Sequence, residues 1–531
     1  MGGENLMGRE FFKYIGTIIF YYPFLMSLFW IVGSIVFKFT DEHKDFTVDK
    51  YPRISFLIPC YNEENTIKRT IENLESLSYP DYEIVIINDG SSDNTSNVVK
   101  KIQKNFKNIK FIDCKENRGK ATTLQLGIHA VTSEFIICVD SDATIDDNAP
   151  YEMIKHFLKS EKVGAVTGNP RVFNRNSLLG KLQLAEYSSI IGAIKRTQSI
   201  VGKLMTVSGV IVAYRKSALI DVGLWDKKCI TEDIAISWKL QRAGWDIKYC
   251  PQAICHMLVP ETLSGLWKQR VRWAQGGQET LFANLDLLLK PKKWYMLPVL
   301  IEQICSTLWV ILWFIYAIYH IFFQNEKSIF VLWIALPAFI LAFLNFIQLL
   351  ITMINDRKYD KSILKNYLCV AWYPFIYWLF NACAAIRALP ISISTSILGG
   401  DGKWSSPDRG KNVKVNKVFK ILMYYVFNFF VLLYAMLVIN FFLPFKNRFN
   451  LILYLIFKIE YSDLVSFGNM TLMIISIMFL VLAFWKFVKS FIKCKVPETD
   501  KTLFDLNLID KNDLYNVINS NLVELEKNPI K

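Results

Sequence analysis

Two aspartates directly follow a short apolar run of the sequence. Asp140-Ser141-Asp142 comes after residues 135–139, a run that predicts a buried strand. Carboxylate oxygens are the ligands that Mg²⁺ and Mn²⁺ prefer, so this pair can hold a divalent cation against a diphosphate. The alternative is a solvated turn, because the D-x-D pattern is common by chance. Its position at a strand end favours the metal site.

A third carboxylate, Asp89, follows a second apolar run at residues 83–87. Because ligands of open α/β sheets bind beyond the carboxyl ends of the strands, we expect Asp89 at the same sheet edge as Asp140. Residues 88–93 are also ordinary turn chemistry that caps the following helix. The two interpretations are compatible.

Thr231-Glu232-Asp233 precedes residues 234–240, which have helical spacing. One interpretation is a general base at the sheet edge, where a carboxylate can accept a proton from an attacking hydroxyl. The other is an N-terminal cap whose acids favour the helix dipole. The residues alone favour the cap.

Gln269-Arg270-Val271-Arg272-Trp273 lies in an amphipathic stretch at residues 261–291. Arginine can bind a diphosphate bidentately and tryptophan can stack on a sugar face. The alternative is interfacial anchoring by the same residue types. Arg118-Gly119-Lys120 is a smaller basic cluster that by itself indicates nothing.

Arg171 and Arg175 have an R-x-x-x-R spacing that can bind a cyclic dinucleotide. Both fall inside the α/β region, and no separate β-barrel accompanies them, so the sequence disfavours that function.

Residues 53–260 alternate short β-rich runs with amphipathic stretches, which predicts parallel βαβ units. The strands are predicted at residues 54–58, 83–87 and 135–139, and a helix at residues 65–77.

The composition indicates a membrane protein. Of 531 residues, 52% are hydrophobic and 20% are charged, against about 25% charged residues in an average soluble protein. The net charge of +14 suits cytoplasmic loops and lipid headgroups. No compact basic module occurs, so we expect no nucleic-acid partner. The ten cysteines form no C-x-x-C pair, which predicts free thiols in a reducing compartment and no zinc site.

Six apolar runs have the ~20 residues that span a bilayer, or more. The first, residues 11–37, lacks a cleavage site and is predicted to remain as an anchor. Residues 261–291 are too charged to span and are predicted to form interfacial helices. The other five runs are residues 297–323, 329–354, 367–393, 418–443 and 468–487.

The number of membrane spans on either side of each loop and the positive-inside bias together set the predicted orientation in the membrane. With one span before a cytosolic region at residues 53–291, the N-terminus lies outside and the basic loop at residues 355–361 lies inside. The basic loop at residues 399–417 is also expected inside. Residues 367–393, interrupted by Pro374, are therefore predicted to be bent, re-entrant or interfacial.

Taken in order, five motifs resemble those of the processive family 2 glycosyltransferases, which include cellulose, chitin, hyaluronan and poly-N-acetylglucosamine synthases. The motifs are Pro59-Cys60-Tyr61-Asn62-Glu63, Asn88-Asp89-Gly90, Asp140-Ser141-Asp142, Thr231-Glu232-Asp233 and Gln269-Arg270-Val271-Arg272-Trp273. Residues 166–171, 258–263, 266–277 and 404–410 look most like bacterial poly-β-1,6-N-acetyl-D-glucosamine (PNAG) synthases. Cellulose synthases resemble the chain less, because Val207-Ser208-Gly209-Val210 replaces their acceptor loop.

The resemblance implies a GT-A (Rossmann-like) α/β domain inserted in a multi-span α-helical membrane domain, with the catalytic domain on the cytosolic side of a bacterial plasma membrane. The implied order is an anchor (1–40), the transferase domain (41–260), interfacial helices (261–294), a channel region (295–400), a cytosolic basic loop (401–417), a two-helix hairpin (418–490) and a cytosolic tail (491–531).

The resemblance also implies a UDP-sugar donor and Mg²⁺ or Mn²⁺. Asp89 would contact the uracil or ribose, and Asp140 and Asp142 would address the diphosphate and the metal, with Asp142 as the direct ligand. The donor pocket would be completed by Pro59, Tyr61, Glu63 and Lys120.

On the acceptor side, the resemblance makes Asp233 the general base, flanked by Thr231 and Glu232. Arg272 would stabilise the leaving diphosphate, and Trp273 would stack on the growing polysaccharide. The acceptor site would also include Gln269, Ser208 and Gly209.

The implied function is processive, inverting polymerisation of N-acetylglucosamine from UDP-GlcNAc, coupled to export. The alternative is a cellulose, chitin or hyaluronan synthase that uses a different UDP-sugar. The motif at residues 269–273 disfavours a non-processive lipid glycosyltransferase, and intact Asp140, Asp142 and Asp233 disfavour a catalytically silent scaffold.

The chain continues for more than a hundred residues beyond the segment at residues 404–410, where PNAG synthases typically end. By analogy of architecture, residues 418–490 resemble a fused two-helix partner subunit. By the same analogy cyclic-di-GMP is the candidate effector, although the sequence contains no dedicated site for it.

Overall fold

The computed structural model describes residues 2–40, 48, 50–323, 336–367 and 373–398. These ranges contain an N-terminal helix, the whole α/β region and the helices that follow it. The expectations for the basic loop at residues 399–417, the two-helix hairpin and the tail lie outside the described residues.

Eight strands form one mixed sheet with the order β3-β2-β1-β4-β7-β6-β8-β5. The strands are β1 (Ile54–Cys60), β2 (Tyr82–Asp89), β3 (Ile109–Cys114), β4 (Phe135–Val139), β5 (Thr144–Ile145), β6 (Val163–Val172), β7 (Ile211–Arg215) and β8 (Asp246–Met257). The helices up to the end of this region are α1 (Gly2–Thr40), α2 (Ile67–Glu75), α3 (Thr95–Gln103), α4 (Lys120–Ala130), α5 (Ala149–Lys159), α6 (Leu178–Glu186), a π-helix (Tyr187–Gly192), α7 (Ala193–Val201), α8 (Lys216–Asp221) and α9 (Glu232–Ala243).

The central strands are buried on both faces, which explains their nearly continuous apolar sequences. In β1, Ile54 and Phe56 pack into one core with α2 and α5, and Leu57 packs into the other with α4 and α9. The predicted strands and the predicted helix at residues 65–77 are confirmed, with ends shifted by a few residues. The eight cysteines in the described part are free thiols, as predicted.

A reversal in the sheet brings a distant loop to the functional edge. Strands β3, β2, β1 and β4 are parallel, whereas β7 runs antiparallel to β4 with Ile211 opposite Val139. The loop that precedes β7, residues 207–210, therefore lies beside the carboxyl end of β4. The Asp140 amide donates to the Val210 carbonyl across 3.2 Å.

Four longer helices follow the sheet: α10 (Leu263–Ala283), α11 (Leu297–Phe323), α12 (Leu336–Asp356) and α13 (Tyr373–Leu398). Short 3₁₀ turns at Leu285–Leu289 and Pro291–Met296 join α10 to α11. Within the described ranges, two stretches are long and apolar enough to cross a membrane, Tyr14–Thr40 and Pro291–Tyr319. The larger number of spans expected from the sequence stays a prediction.

Helix α13 covers most of the stretch in which Pro374 was expected to interrupt an element at residues 367–393. Residues 368–372 lie outside the described part of the chain, so the expectation of a bent, re-entrant or interfacial element stays a prediction. The helix runs from Tyr373 to Leu398, through Pro390. It packs along α10, where Gln278 donates to the Ala385 carbonyl and Ser392 donates to the Gln278 amide oxygen.

Buried ion pairs attach α12 to the α/β domain. Asp356, at the end of α12, accepts Arg171 at 2.9 Å and Arg196 at 2.6 Å, and all three side chains are almost fully buried. Arg175 pairs with Asp360 at 2.6 Å. The R-x-x-x-R spacing therefore matches two aspartates that are also four residues apart. The structure gives both arginines a carboxylate partner.

Candidate active site

The predicted site residues converge at one edge of the sheet. The carboxyl ends of β1, β2 and β4 meet there, together with the loop before β7 and the first turn of α9. One cavity at this edge is lined by Pro59, Lys120, Leu124, Cys138, Val139, Gly209, Val212, Tyr214, Trp225, Glu232 and Asp233. Residues from five separate parts of the sequence thus share one space.

Lys120, the first residue of α4, is the cation at the centre of this space. Its ammonium lies 2.8 Å from a carboxylate oxygen of Asp140 and 3.0 Å from one of Glu232. Burial alone would lower the pKa of Lys120, but the two carboxylates raise it above its usual value. The side chain is therefore a permanent positive charge that links the end of β4 to α9.

Asp89 fixes the loop that leads into α4. Its two carboxylate oxygens accept the amides of Arg118 and Gly119, each at 2.9 Å, and the side chain is buried. The following residue, Gly90, has a φ of +68°, and a Cβ there would lie 2.5 Å from the Glu116 backbone. Only glycine fits this close approach. Asp89 thereby sets the position from which Lys120 reaches Asp140.

The loop after β1, which contains Tyr61 and Glu63, is bonded to the loop after β2. The amide of Asn62 donates to the Ser91 hydroxyl at 2.8 Å, and the Glu63 amide donates to the Thr95 hydroxyl at 2.8 Å. Glu63 is buried and accepts the Thr66 hydroxyl at the start of α2. The turn prediction for residues 88–93 is also correct, since Asp93 accepts the amide and hydroxyl of Thr95.

The two aspartates of the D-x-D motif face different surroundings. Asp140 contacts Lys120, whereas Asp142 is buried beneath α2, where Thr70 donates to the Ser141 carbonyl and Arg69 donates to the Asp142 carbonyl. Burial lowers the pKa of Arg69, and the nearby Asp142 carboxylate opposes that shift. In the part of the chain that the structure describes, no three His, Cys, Asp or Glu side chains form a metal-binding group.

Two carboxylates nevertheless fit a hard divalent cation at this position. Mg²⁺ usually keeps several waters and is bound through one or two carboxylates plus the phosphates of a substrate. The oxygen donors of Asp140 and Asp142 at a strand end match that pattern.

Asp233, in the first turn of α9, has the properties of a general base. Its oxygens accept the amide of Ile234 at 2.9 Å and that of Gly209 at 3.3 Å. Burial, followed by the neighbouring Glu232 carboxylate, raises the pKa of Asp233 to about 6, although Lys120 and Arg272 oppose the rise. The carboxylate is thus ionised at neutral pH, and its pKa lies close enough to the operating pH for proton transfer.

Thr231 occupies the N-cap position of α9, as the cap interpretation predicts, but its side chain makes no capping hydrogen bond. It packs instead against α10, because a Cβ on Gly276 would lie 1.8 Å from the Thr231 hydroxyl oxygen. The preceding residue, Ile230, donates its amide to Glu279 of α10 at 3.2 Å. Glu279 also accepts Thr395 of α13 at 2.7 Å. The turn that carries Asp233 is therefore positioned from α10 and α13.

The motif at residues 269–273 lies in the middle of α10. Arg272 is near enough to lower the pKa of Asp233. Trp273 contacts Tyr187 edge to face, and the guanidinium of Arg270 lies 4.3 Å from the centre of the Trp273 ring. Gln269 is buried. The structure therefore brings Arg272 close to Asp233 and places Trp273 beside the π-helix.

Lys195, Glu279 and Gly276 contact the site residues but were missed in the sequence. Lys195 donates to Ser208 in the loop before β7. The hydrogen-bond partners of Lys195 and Glu279 are 13 and 49 residues away in sequence. Gly276 meets Thr231 only through helix packing. No local spacing could therefore indicate these contacts. The i,i+4 bond from Gln275 to Glu279 is the one short-range signal.

A family model described as "Glycosyltransferase like family 2" matches residues 52–276. The chain is 45% identical over 414 residues to a poly-β-1,6-N-acetyl-D-glucosamine synthase of Staphylococcus epidermidis, covering 75% of this chain and 99% of that protein. It is 45% identical over 413 residues to the synthase of the same name from Staphylococcus aureus strain MSSA476, covering 76% of this chain and 99% of the relative.

Among solved structures, the chain is similar to a mannosyltransferase from Pyrobaculum calidifontis in complex with GDP-mannose and Mn²⁺. The identity is 17%, the TM-score is 0.49, and the match covers 72% of this chain and 99% of that one.

We predict that Gly276→Ala disturbs the site although alanine favours helices. The added methyl meets Thr231, and overpacking of this kind costs about 1–3 kcal/mol, whereas the gain in helix propensity is about 0.5–1 kcal/mol. Thermal unfolding of the solubilised protein should show a loss of stability.

The matched control is Gly277→Ala, one residue along the same helix. The nearest atom to its Cβ would be the flexible Gln303 side-chain nitrogen at 3.1 Å, so this variant should be as stable as the parent or more so. Equal unfolding temperatures for the two variants would contradict the tight contact between α10 and Thr231.

Proposed function

The chain belongs to the family 2 glycosyltransferases, and we propose that it is a processive, inverting enzyme that polymerises N-acetylglucosamine from UDP-GlcNAc. The observation that carries this proposal is the 45% identity to synthases of a β-1,6-linked N-acetylglucosamine polymer over 99% of their length. The identity spans the transferase and the helices that follow it, so it favours this polymer over cellulose, chitin or hyaluronan.

Asp233 is the group proposed to start the transfer. A UDP-α-sugar that yields a β-linkage requires a single displacement, so the acceptor hydroxyl must lose its proton to a nearby base. Asp233 is ionised at neutral pH and lies in the first turn of α9, open to the cavity. Glu232 raises its proton affinity, and the Gly209 amide orients one of its oxygens.

The donor is proposed to lie along the edge of β2, β1 and β4. Asp89, Tyr61 and Glu63 stand at the end where the nucleoside would bind, and Lys120 and Arg272 supply the positive charge that a leaving diphosphate requires. Lys120 is held between two carboxylates and cannot rotate freely. Its charge is therefore fixed in place before the substrate arrives.

A divalent cation, Mg²⁺ or Mn²⁺, is proposed to bind at Asp140 and Asp142. It would supply Lewis-acid stabilisation of the diphosphate. Asp140 is held by its ion pair with Lys120. The backbone of the Asp142 turn is held from α2 by Arg69 and Thr70, and the Arg69 guanidinium lies near the Asp142 carboxylate.

The acceptor is proposed to lie between α10 and the loop before β7. Trp273 would offer an aromatic face to a sugar ring, and Ser208 and Gly209 would contact the acceptor beside Asp233. Gln269 is buried below Trp273 on the same helix and would support its orientation.

Export of the polymer is proposed to proceed between the helices that follow the transferase domain. Ala274, the residue after Trp273, lines a cavity of about 140 Å³ between α10, α11 and α13. Its polar lining includes Gln278, Gln303, Ser306 and Thr307, which suits a hydroxyl-rich chain.

The bilayer is proposed to surround α1 and α11. Helix α1 exposes large apolar side chains that would otherwise face water, among them Tyr14, Ile18, Leu25, Phe29 and Val32. We place the enzyme in a bacterial plasma membrane, with several spans and the transferase domain in the cytosol.

About a quarter of this chain lies outside the match to the Staphylococcus relatives, which are themselves covered almost completely. We propose that residues 418–490 act as a fused two-helix partner and that the tail can carry regulation, with cyclic-di-GMP as the candidate effector. The alternative is a lipid-facing hairpin with a solvated tail.

We predict that Asp233→Asn abolishes transfer while UDP-GlcNAc binding survives, since the amide cannot accept the proton. A positioned base typically contributes about 10²–10⁴-fold, so initial rates of UDP release should fall by at least about 100-fold. For the parent enzyme, activity should be lost as the pH falls through about 6, where the raised pKa of Asp233 makes the base protonated.

The control is Asp226→Asn, which changes an exposed aspartate outside the cavity and should leave both rate and pH profile unchanged. Near-normal turnover by Asp233→Asn would remove this residue from the mechanism.

We predict that truncation after Gly410 impairs polymerisation, because the fused segment would be missing. Activity should return when residues 418–531 are co-expressed as a separate polypeptide. Polymer yield from membranes of matched expression level is the measurement. If the truncated enzyme matches the full chain in yield and in its response to added cyclic-di-GMP, the fused-partner proposal is wrong.

A further inference from the structure

We infer that Lys195, on α7, is a positioning residue that holds the acceptor loop, residues 207–210, against the base Asp233. This inference rests on the proposed function, in which Asp233 activates the acceptor. Lys195 would act through the loop and would not itself touch the reacting atoms.

The ammonium of Lys195 is buried and points at the acceptor loop. Only 4% of the residue is exposed. Its Nζ donates to the Ser208 hydroxyl at 2.5 Å and to the Thr167 hydroxyl of β6 at 3.2 Å. Among the described residues, no carboxylate lies within ion-pair distance of it. A lysine that is this deeply buried and has only a structural role would be expected to form an ion pair with an acidic side chain.

A continuous set of hydrogen bonds runs from Lys195 to the base. Ser208 accepts from Lys195 through its hydroxyl and donates its amide to the Thr167 hydroxyl at 2.8 Å. The next amide, that of Gly209, donates to Asp233 at 3.3 Å. Thr167 and Lys195 therefore hold Ser208 from two sides, and that fixes where the Gly209 amide meets the carboxylate.

At the end of this set of hydrogen bonds, the backbone of Gly209 packs tightly against the Asp233 side chain. A Cβ at Gly209 would lie 3.1 Å from the Asp233 carboxylate oxygen, which is tighter than ordinary van der Waals contact. A small movement of the loop would therefore move the base or the acceptor hydroxyl. Misplacement of the reacting groups affects catalysis strongly, because they must be held within about 0.5 Å of the productive geometry.

The charge of Lys195 has a cost in stability. Burial lowers its pKa to about 7, against the attraction of Asp233. An apolar side chain of similar length would fill the same volume without that cost, and replacing buried charges by apolar residues is often neutral or stabilising. A positioning role thus predicts that one substitution lowers turnover while it leaves stability unchanged or raises it.

The test compares Lys195→Met with the parent enzyme, using the full chain in lipid nanodiscs. We expect kcat for UDP release from UDP-GlcNAc to fall by about 10-fold or more, the usual worth of a hydrogen bond from a charged donor. KM for UDP-GlcNAc should stay within about twofold, since the donor pocket is untouched. The unfolding temperature should be unchanged or higher. Lys195→Arg, which retains a charged donor, should recover part of kcat.

Thr167→Val provides a second, nearly isosteric variant that removes the other support of Ser208. It should lower kcat with KM unchanged, and its effect should not add to that of Lys195→Met, because both act through Ser208. If Lys195→Met does not fold, the proposal is tested by comparing kcat of Thr167→Val, which lacks the hydroxyl, with kcat of Thr167→Ser, which keeps it. Lys203→Met, which changes a lysine outside this set of bonds, is the matched control and should behave as the parent.

The outcomes separate the two proposals. If the parent enzyme releases no UDP and forms no polymer from UDP-GlcNAc, the proposed function fails. If the parent is active and Lys195→Met retains its kcat, the positioning role is overturned. A loss of kcat accompanied by a lower unfolding temperature and a raised KM would show a general structural role and would also overturn it.

Discussion

The arrangement of this site depends on one buried cation. Lys120 lies between Asp140 and Glu232, with Asp233 beside them, so three carboxylates share a small, largely buried space with a single ammonium. Without that charge the carboxylates would repel one another, and the pKa of Asp233, which Lys120 lowers, would rise further. With it, the end of β4 and the first turn of α9 are joined, while Asp233 keeps a pKa near neutrality.

The fold serves to bring this cluster together. The parallel half of the sheet places Asp89, Pro59 and Asp140 at one edge, and Asp89 fixes the loop from which Lys120 extends. The antiparallel strand β7 then returns the acceptor loop to the same edge, and α10 and α13 hold the Thr231 turn through Gly276 and Glu279. Asp356 attaches α12 to Arg171 and Arg196. The transferase site and the apolar helices are thus linked at two separate places.

Much of this could be predicted from the sequence, and the reason differs between residues. Asp89, Asp140 and Asp142 each follow a strand whose apolar run is local, so the sheet edge could be inferred from spacing alone. Asp233 could be placed at a helix start, but the residues favoured a simple cap. Only its burial beside Glu232 and its bond to Gly209 give it the properties of a base. The resemblance implies that role, and these contacts support it as a proposal.

Other residues could not be predicted, because their partners are distant in sequence. In the sequence, nothing distinguishes Lys195 from other lysines, and only the fold brings Thr167 and Ser208 to it. Gly276 is an unfavourable residue within a helix, and only the packing of Thr231 against it explains its presence. The arginine pair at residues 171 and 175 shows the converse case: a spacing that can suggest a ligand site, and that the sequence context already disfavoured as one, is matched by two aspartates of the same chain.

The central claim is that this enzyme builds an N-acetylglucosamine polymer, and donor choice tests it most directly. Purified full-length enzyme in lipid nanodiscs would be given radiolabelled UDP-GlcNAc or radiolabelled UDP-glucose, and label in high-molecular-weight product would be counted before and after a hydrolase specific for β-1,6-linked N-acetylglucosamine. We expect incorporation from UDP-GlcNAc alone and a product that the hydrolase degrades. Incorporation from UDP-glucose, or a labelled polymer that resists the hydrolase, would contradict the account.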